Sequence, residues 1–123
     1  MKVILVDDEQ KFITMLAKRL AMRGIQADIA FTGDEAIKKN SNTIYDVAVL
    51  DIKMPGISGI QLKNKLSDMY PDLKFIFVTG HGAVSQSEED LIEKDVYLSK
   101  PLDIEFLIKK INEITKIPKP YNK

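Results

Sequence analysis

Four short patches of chemically competent residues stand out in this chain: the acidic run Asp7-Asp8-Glu9, the isolated Asp51, the hydroxyl of Thr79 and the pair Lys100-Pro101. Each follows or closes an apolar, β-branched run, namely Lys2 to Val6, Val47 to Leu50, Phe75 to Val78 and Val96 to Ser99. Open α/β sheets bind their ligands in the crevice beyond the carboxyl ends of the strands. Carboxylates, a hydroxyl and an ammonium gathered there offer a seat for a divalent cation beside an anion. That combination suits phosphoryl chemistry, in which positioning and charge neutralisation do most of the work. Little else in the sequence competes with it.

The elements that must position these groups alternate between two periodicities. Val3 to Val6 is a continuous apolar run, the pattern of a strand buried on both faces. Phe12, Leu16 and Leu20, with Ile13 and Ala17 beside them, recur at helical spacing and stop at Gly24, a natural helix end. Ile25 to Ala30 alternates weakly and predicts a strand towards a sheet edge. Thr32 followed by Glu35 is a capping-box signature that opens a short helix through Ala36 and Ile37. Val47 to Leu50 is the next buried strand. Pro55-Gly56 and Gly59 then precede a helix carrying Ile60, Leu62, Leu66 and Met69, which Pro71 stops.

Phe75 to Val78 predicts the fourth strand. Between Gly80 and Asp95 the pattern weakens, with Leu91 and Ile92 the only core contacts of a further helix. Val96 to Ser99 is a short last strand. Ile104, Leu107, Ile108, Ile111 and Ile114 form a clean apolar stripe, with Asp103 as its N-cap. Met54 and Met69 read as packing residues. Five strands alternating with five helices predict a flavodoxin-like, doubly wound parallel α/β sheet of order 2-1-3-4-5. That order makes strands 1 and 3 neighbours, so that Asp7 and Asp8 face Asp51 across the switch point.

Composition sets the outer bounds. A chain of 123 residues with 45% hydrophobic and 29% charged residues is an ordinary single globular domain. Eighteen Lys and Arg balance eighteen Asp and Glu, which removes the electrostatic case for nucleic acid or an anionic membrane. Cysteine is absent, and with it disulfides and thiol chemistry. No stretch approaches the roughly 18 apolar residues that span a bilayer. The expectation is a cytoplasmic domain over residues 1–118, with 119–123 a short tail or the start of a linker.

Taken together, Asp7-Asp8, Asp51-Ile52-Lys53-Met54-Pro55-Gly56, Thr79-Gly80-His81-Gly82 and Lys100-Pro101 resemble the receiver (REC) domain of two-component response regulators. The resemblance spans the chain to about Ile117 and matches the single-domain chemotaxis regulators in extent. It implies an aspartyl-phosphate switch, in which Asp51 takes the phosphoryl group from a phosphohistidine or a small acyl phosphate. The metal would be Mg²⁺, with Mn²⁺ an alternative. Asp8 and Asp51 would be its direct side-chain ligands, Asp7 would act directly or through water, and the Lys53 backbone carbonyl would add another. Thr79 and Lys100 would hold phosphoryl oxygens, and Tyr97 matches the family's aromatic switch position. Phosphorylation would then change the surface of the fourth helix, last strand and last helix.

The resemblance also implies the partners. These are a histidine kinase or histidine phosphotransfer protein and an output protein, with dimerisation on phosphorylation left open and no direct contact with nucleic acid or membrane. Any hydrolysis would be slow self-dephosphorylation, because Lys53 stands where a phosphohydrolase would carry a second acid. The alternatives are a receiver module of a longer regulator with a DNA-binding or enzymatic output domain, and a receiver that binds partners without phosphorylation. Glu9 reads as a cap for the first helix, and His81 as a loop residue near the site mouth. The chain departs from the family between Thr79 and Lys100, where Glu93-Lys94-Asp95 replaces the usual small Gly-Ala step.

Overall fold

The continuous apolar runs become strands and the spaced ones become helices. The computed structural model describes residues 1–80 and 96–115. Its strands are β1 (Lys2–Val6), β2 (Gln26–Ala30), β3 (Val47–Asp51), β4 (Lys74–Thr79) and β5 (Val96–Ser99). They form one parallel sheet of order β2-β1-β3-β4-β5, as the pattern predicts. The helices among the described residues are α1 (Gln10–Met22), α2 (Gly33–Asn40), α3 (Gly59–Met69) and α4 (Ile104–Thr115). The further helix expected between Gly80 and Asp95, and His81 with it, lies outside the described residues apart from Gly80.

Strand residues alternate between the two sides of a sheet, and here each side has its own core. Ile4, Val6, Ala48, Leu50, Phe75 and Phe77 pack with Ala36 of α2 and Leu62 and Leu66 of α3. On the other side, Val3, Leu5, Val47, Val49, Ile76, Val78 and Leu98 pack with Ile13, Leu16 and Leu20 of α1 and Leu107 and Ile111 of α4. Burial on both faces is why these strands read as unbroken apolar runs. At the sheet edge, β2 is only half-buried, in line with its weaker pattern.

Local chemistry sets the helix ends. Thr32 accepts the Glu35 amide at 3.1 Å, while the Glu35 carboxylate accepts from the Phe31 N–H at 2.7 Å, one residue before the position a closed capping box would use. Ser58 and Gln61 form a complete capping box on α3. Asp103 caps α4 as expected, its carboxylate accepting from the amides of Glu105 at 2.9 Å and Phe106 at 3.4 Å. Gly24 follows α1 at a φ of +82°, a conformation that side chains resist. One packing assignment is corrected: Met69 is 49% exposed, because its neighbour Tyr70 fills the place against the core instead. Met54 does pack there.

Gly59 ties the fold to the candidate site. A Cβ at this position would lie 2.2 Å from the Asp51 carbonyl oxygen and 3.0 Å from the Ile52 Cα. The Gly59 amide also donates to the Ile52 carbonyl at 3.0 Å, so the start of α3 is drawn against the end of β3. Gly59→Ala is expected to destabilise the fold by about 1–3 kcal/mol through overpacking against backbone. The measurement is the urea midpoint at unchanged m-value, and a midpoint equal to wild type would contradict this packing.

Candidate functional site

Strand register brings the four patches to one end of the sheet. Val6 pairs with Leu50, so Asp7 and Asp51 follow side by side. Asp51 pairs with Val78, and Thr79 with Ser99. The Lys100 amide donates to the Thr79 carbonyl at 2.8 Å, which extends the β4–β5 ladder to the lysine. Asp7, Asp51 and Thr79 are buried, whereas Asp8 is exposed. One carboxylate oxygen from each of Asp7, Asp8 and Asp51 lies within 4.8 Å of the others. The facing of Asp7 and Asp8 with Asp51 is therefore present in the fold.

Lys100 reaches into this cluster from the edge. Its ammonium lies 2.8 Å from Asp7 Oδ2, is hydrogen-bonded to Glu9, and sits 4.5 Å from the centroid of the Phe12 ring. The other Asp7 oxygen, Oδ1, accepts the Glu9 backbone N–H at 2.9 Å. Lys53 is exposed, and its backbone hydrogen-bonds to the Asp51 carboxylate. Tyr97 is partly buried against the core on the α2–α3 side.

The electrostatics reflect the burial of two carboxylates beside one another. Burial, and then the neighbouring Asp7 carboxylate, push the Asp51 pKa up to about 7, against the opposing pull of Lys100 and the Lys53 backbone. Burial also raises Asp7, although hydrogen bonds from Lys100 and the Glu9 backbone hold it back. Burial alone would lower Lys100, but its bonds to Asp7 and Glu9 outweigh this and leave it raised. A compact set of oxygen donors with unneutralised charge suits a small, hard divalent cation. The Thr79 hydroxyl is buried with no hydrogen-bond partner among the described residues. Leaving such a group unpaired costs about 1–3 kcal/mol, so an acceptor arriving beside it would be favoured.

The Glu9 reading is corrected. Glu9 occupies the N-cap position of α1 but makes no side-chain cap bond, because its carboxylate turns to Lys100 instead. The sequence offers no signal for this contact between residues 91 positions apart. Phe12 is likewise more than a member of the helix stripe, since its ring lies beneath the Lys100 ammonium.

A carboxyl whose folded pKa lies above its unfolded value binds its proton more tightly in the folded state. For Asp51 the stabilising contribution is complete below its ordinary 3.8 and is lost as the pH rises through about 7. In metal-free buffer at pH 8, Asp51→Asn is therefore expected to be more stable than wild type by roughly 2–4 kcal/mol, a gap that narrows towards pH 5. Denaturant titrations across this range check it, and a gap independent of pH would contradict it.

Comparison with known proteins agrees with this geometry. Residues 3–112 match the Response regulator receiver domain family. The heme response regulator HssR of Staphylococcus aureus strain Newman is 33% identical over 112 residues, which are 90% of this chain and 50% of that protein. The chain thus spans about half the length of the curated relatives it matches. A CheY-like receiver domain protein from Methanospirillum hungatei JF-1 superposes with a TM-score of 0.85 at 29% identity, covering 93% of this chain and 92% of that one. The response regulator TrrA of Thermotoga maritima, solved in complex with Mg²⁺ and BeF, gives a TM-score of 0.79 at 31% identity, over 92% of this chain and 97% of that one. With its strand order, its clustered aspartates and this family match in agreement, the chain belongs to the receiver domains of two-component response regulators.

Proposed function

We propose that this domain is a phosphorylation-activated switch whose acceptor is Asp51. The observation that carries the reading is the convergence of Asp7, Asp8 and Asp51 within 4.8 Å, beside the Lys100 ammonium and the Thr79 hydroxyl, which has no hydrogen-bond partner among the described residues. The Asp51 carboxylate oxygen attacks phosphorus in a phosphohistidine, and the P–N bond breaks with its electron pair passing to the departing imidazole. Receiver domains bind Mg²⁺ at an acidic pocket. The donor set here fits that ion, and Asp7, Asp8 and Asp51 with the Lys53 carbonyl would hold it. When bound, it supplies charge neutralisation and Lewis-acid polarisation at the phosphoryl oxygens.

The remaining work falls to the chain's own groups. Lys100 presents a compact positive charge to one phosphoryl oxygen, and the Thr79 hydroxyl donates a hydrogen bond to another. Their movement towards the new group releases space beside β5, which Tyr97 fills, changing the surface around that strand and α4. The donor would be a histidine kinase or histidine phosphotransfer protein, and the domain would act in the cytoplasm on an output protein or on a second copy of itself. Among the described residues no helix is long and apolar enough to cross a membrane. A second reading, a receiver module within a longer response regulator, is supported by the half-length match to the curated relatives.

Intact-mass spectrometry after incubation with acetyl phosphate tests the acceptor. The expected outcome is a Mg²⁺-dependent phosphoryl adduct on wild type that is absent from Asp51→Asn. An adduct of equal yield in that variant would overturn the assignment. For the switch, Tyr97→Ala is expected to retain beryllofluoride binding while losing most of the amide chemical-shift changes along β5 and α4. Wild-type-like shift changes in that variant would remove Tyr97 from the coupling.

A further inference from the structure

Glu9 has no task in the reaction as derived so far, yet it grips the cation that the reaction needs. Its carboxylate is 62% exposed, while the Lys100 side chain to which it is paired is only 11% exposed. The same ammonium also lies 2.8 Å from Asp7 Oδ2, and the Phe12 ring closes one side of it. Asp7 is held in place, because its second oxygen accepts from the Glu9 backbone and its side chain is buried. With Asp7 and Glu9 on two of its three donors and the Phe12 ring on one side, Lys100 can turn fully to a phosphoryl oxygen only in competition with these carboxylates. Glu9 is the partner that can move into water when it does so.

We infer that Glu9 is a positioning residue that gates the acceptor site, acting through Lys100. Its carboxylate holds the lysine at the mouth and opposes incoming anionic phosphodonors until the phosphoryl group displaces it. The inference rests on the acceptor reading given above. Two effects follow from one charge at this place. A carboxylate at the entrance lowers the local concentration of a dianionic donor, an effect that salt screens. It also competes with the phosphoryl group for the ammonium, whose affinity for either is electrostatic.

The test uses acetyl phosphate as donor, with saturating Mg²⁺, on wild type, Glu9→Gln and Glu113→Gln. The last variant removes the same charge from the exposed side of α4, where Glu113 pairs only with Lys110 among the described residues. In the reaction, the Asp51 oxygen bonds to phosphorus as the bond to the acetyl oxygen breaks, and acetate leaves with that electron pair. At low ionic strength, about 20 mM, the second-order rate constant of Glu9→Gln is expected to exceed wild type by about three- to tenfold. The excess should shrink towards unity at about 500 mM salt, and Glu113→Gln should track wild type throughout. A purely structural role for Glu9 would not give this salt dependence. Equal or slower phosphorylation of Glu9→Gln, or an excess unchanged by salt, would overturn the gate while leaving the acceptor reading intact. No adduct on wild type, with beryllofluoride also unbound, would overturn the acceptor reading and the gate with it.

Discussion

Repulsion among three carboxylates at the ends of β1 and β3 is the constraint on which the rest of the site depends. Charges at the separations found here, within 4.8 Å, repel modestly in water and several-fold more strongly where burial lowers the effective dielectric. Two of the three, Asp7 and Asp51, are buried. Among the described residues the Lys100 ammonium offsets this repulsion, and it is shared with Glu9. Burial first, and the Asp7 charge second, leave the Asp51 pKa raised despite the pull of that ammonium. An incompletely neutralised cluster is a poor contributor to stability and a good receptor for positive charge. The site is best understood as a destabilised corner that the two hydrophobic cores hold in place.

Those cores can do so because the sheet is covered on both faces. The strands that deliver the acids are among the most buried elements, with Val3, Ile4, Val47, Ala48 and Leu50 fully enclosed. Their side chains divide between the α2–α3 core and the α1–α4 core, so neither strand can rotate or slip without exposing an entire apolar set. The register that places Asp7 beside Asp51 is thus set by residues that take no part in chemistry. The close approach of Gly59 to the Asp51 carbonyl adds a local restraint at the same point.

This division explains what could be read from the sequence. Strands buried on both faces show as unbroken apolar runs, so β1, β3 and β4 are legible to within a residue at either end, and the short edge strand β5 is legible from its own apolar residues. Their order followed from the need to make the acidic strand ends neighbours. The stripes of α1 and α4 were equally legible, because 3.6-residue periodicity is a local property of the chain. Met69 was misread because a stripe does not say which of two adjacent residues, Met69 or Tyr70, ends it inward. Glu9 was misread for a deeper reason. Its position predicts a cap from local rules, and those rules are outweighed by a lysine that only the folded topology brings near.

The same topology suggests how an event at Asp51 reaches the far side of β5 in the proposed switch. Phe77 is paired in register with Tyr97, and Thr79 with Ser99. By the two-residue period of a strand, Thr79 and Phe77 share a face of the sheet, the face on which Tyr97 packs. A shift of Thr79 towards Asp51 therefore alters the volume available on Tyr97's own side, one strand across and two residues along. Close-packed interiors respond to such a change by moving between discrete arrangements rather than by deforming smoothly. A buried hydroxyl with no hydrogen-bond partner among the described residues at one end of this path, and an aromatic ring only partly buried at the other, are the features that support the proposed coupling.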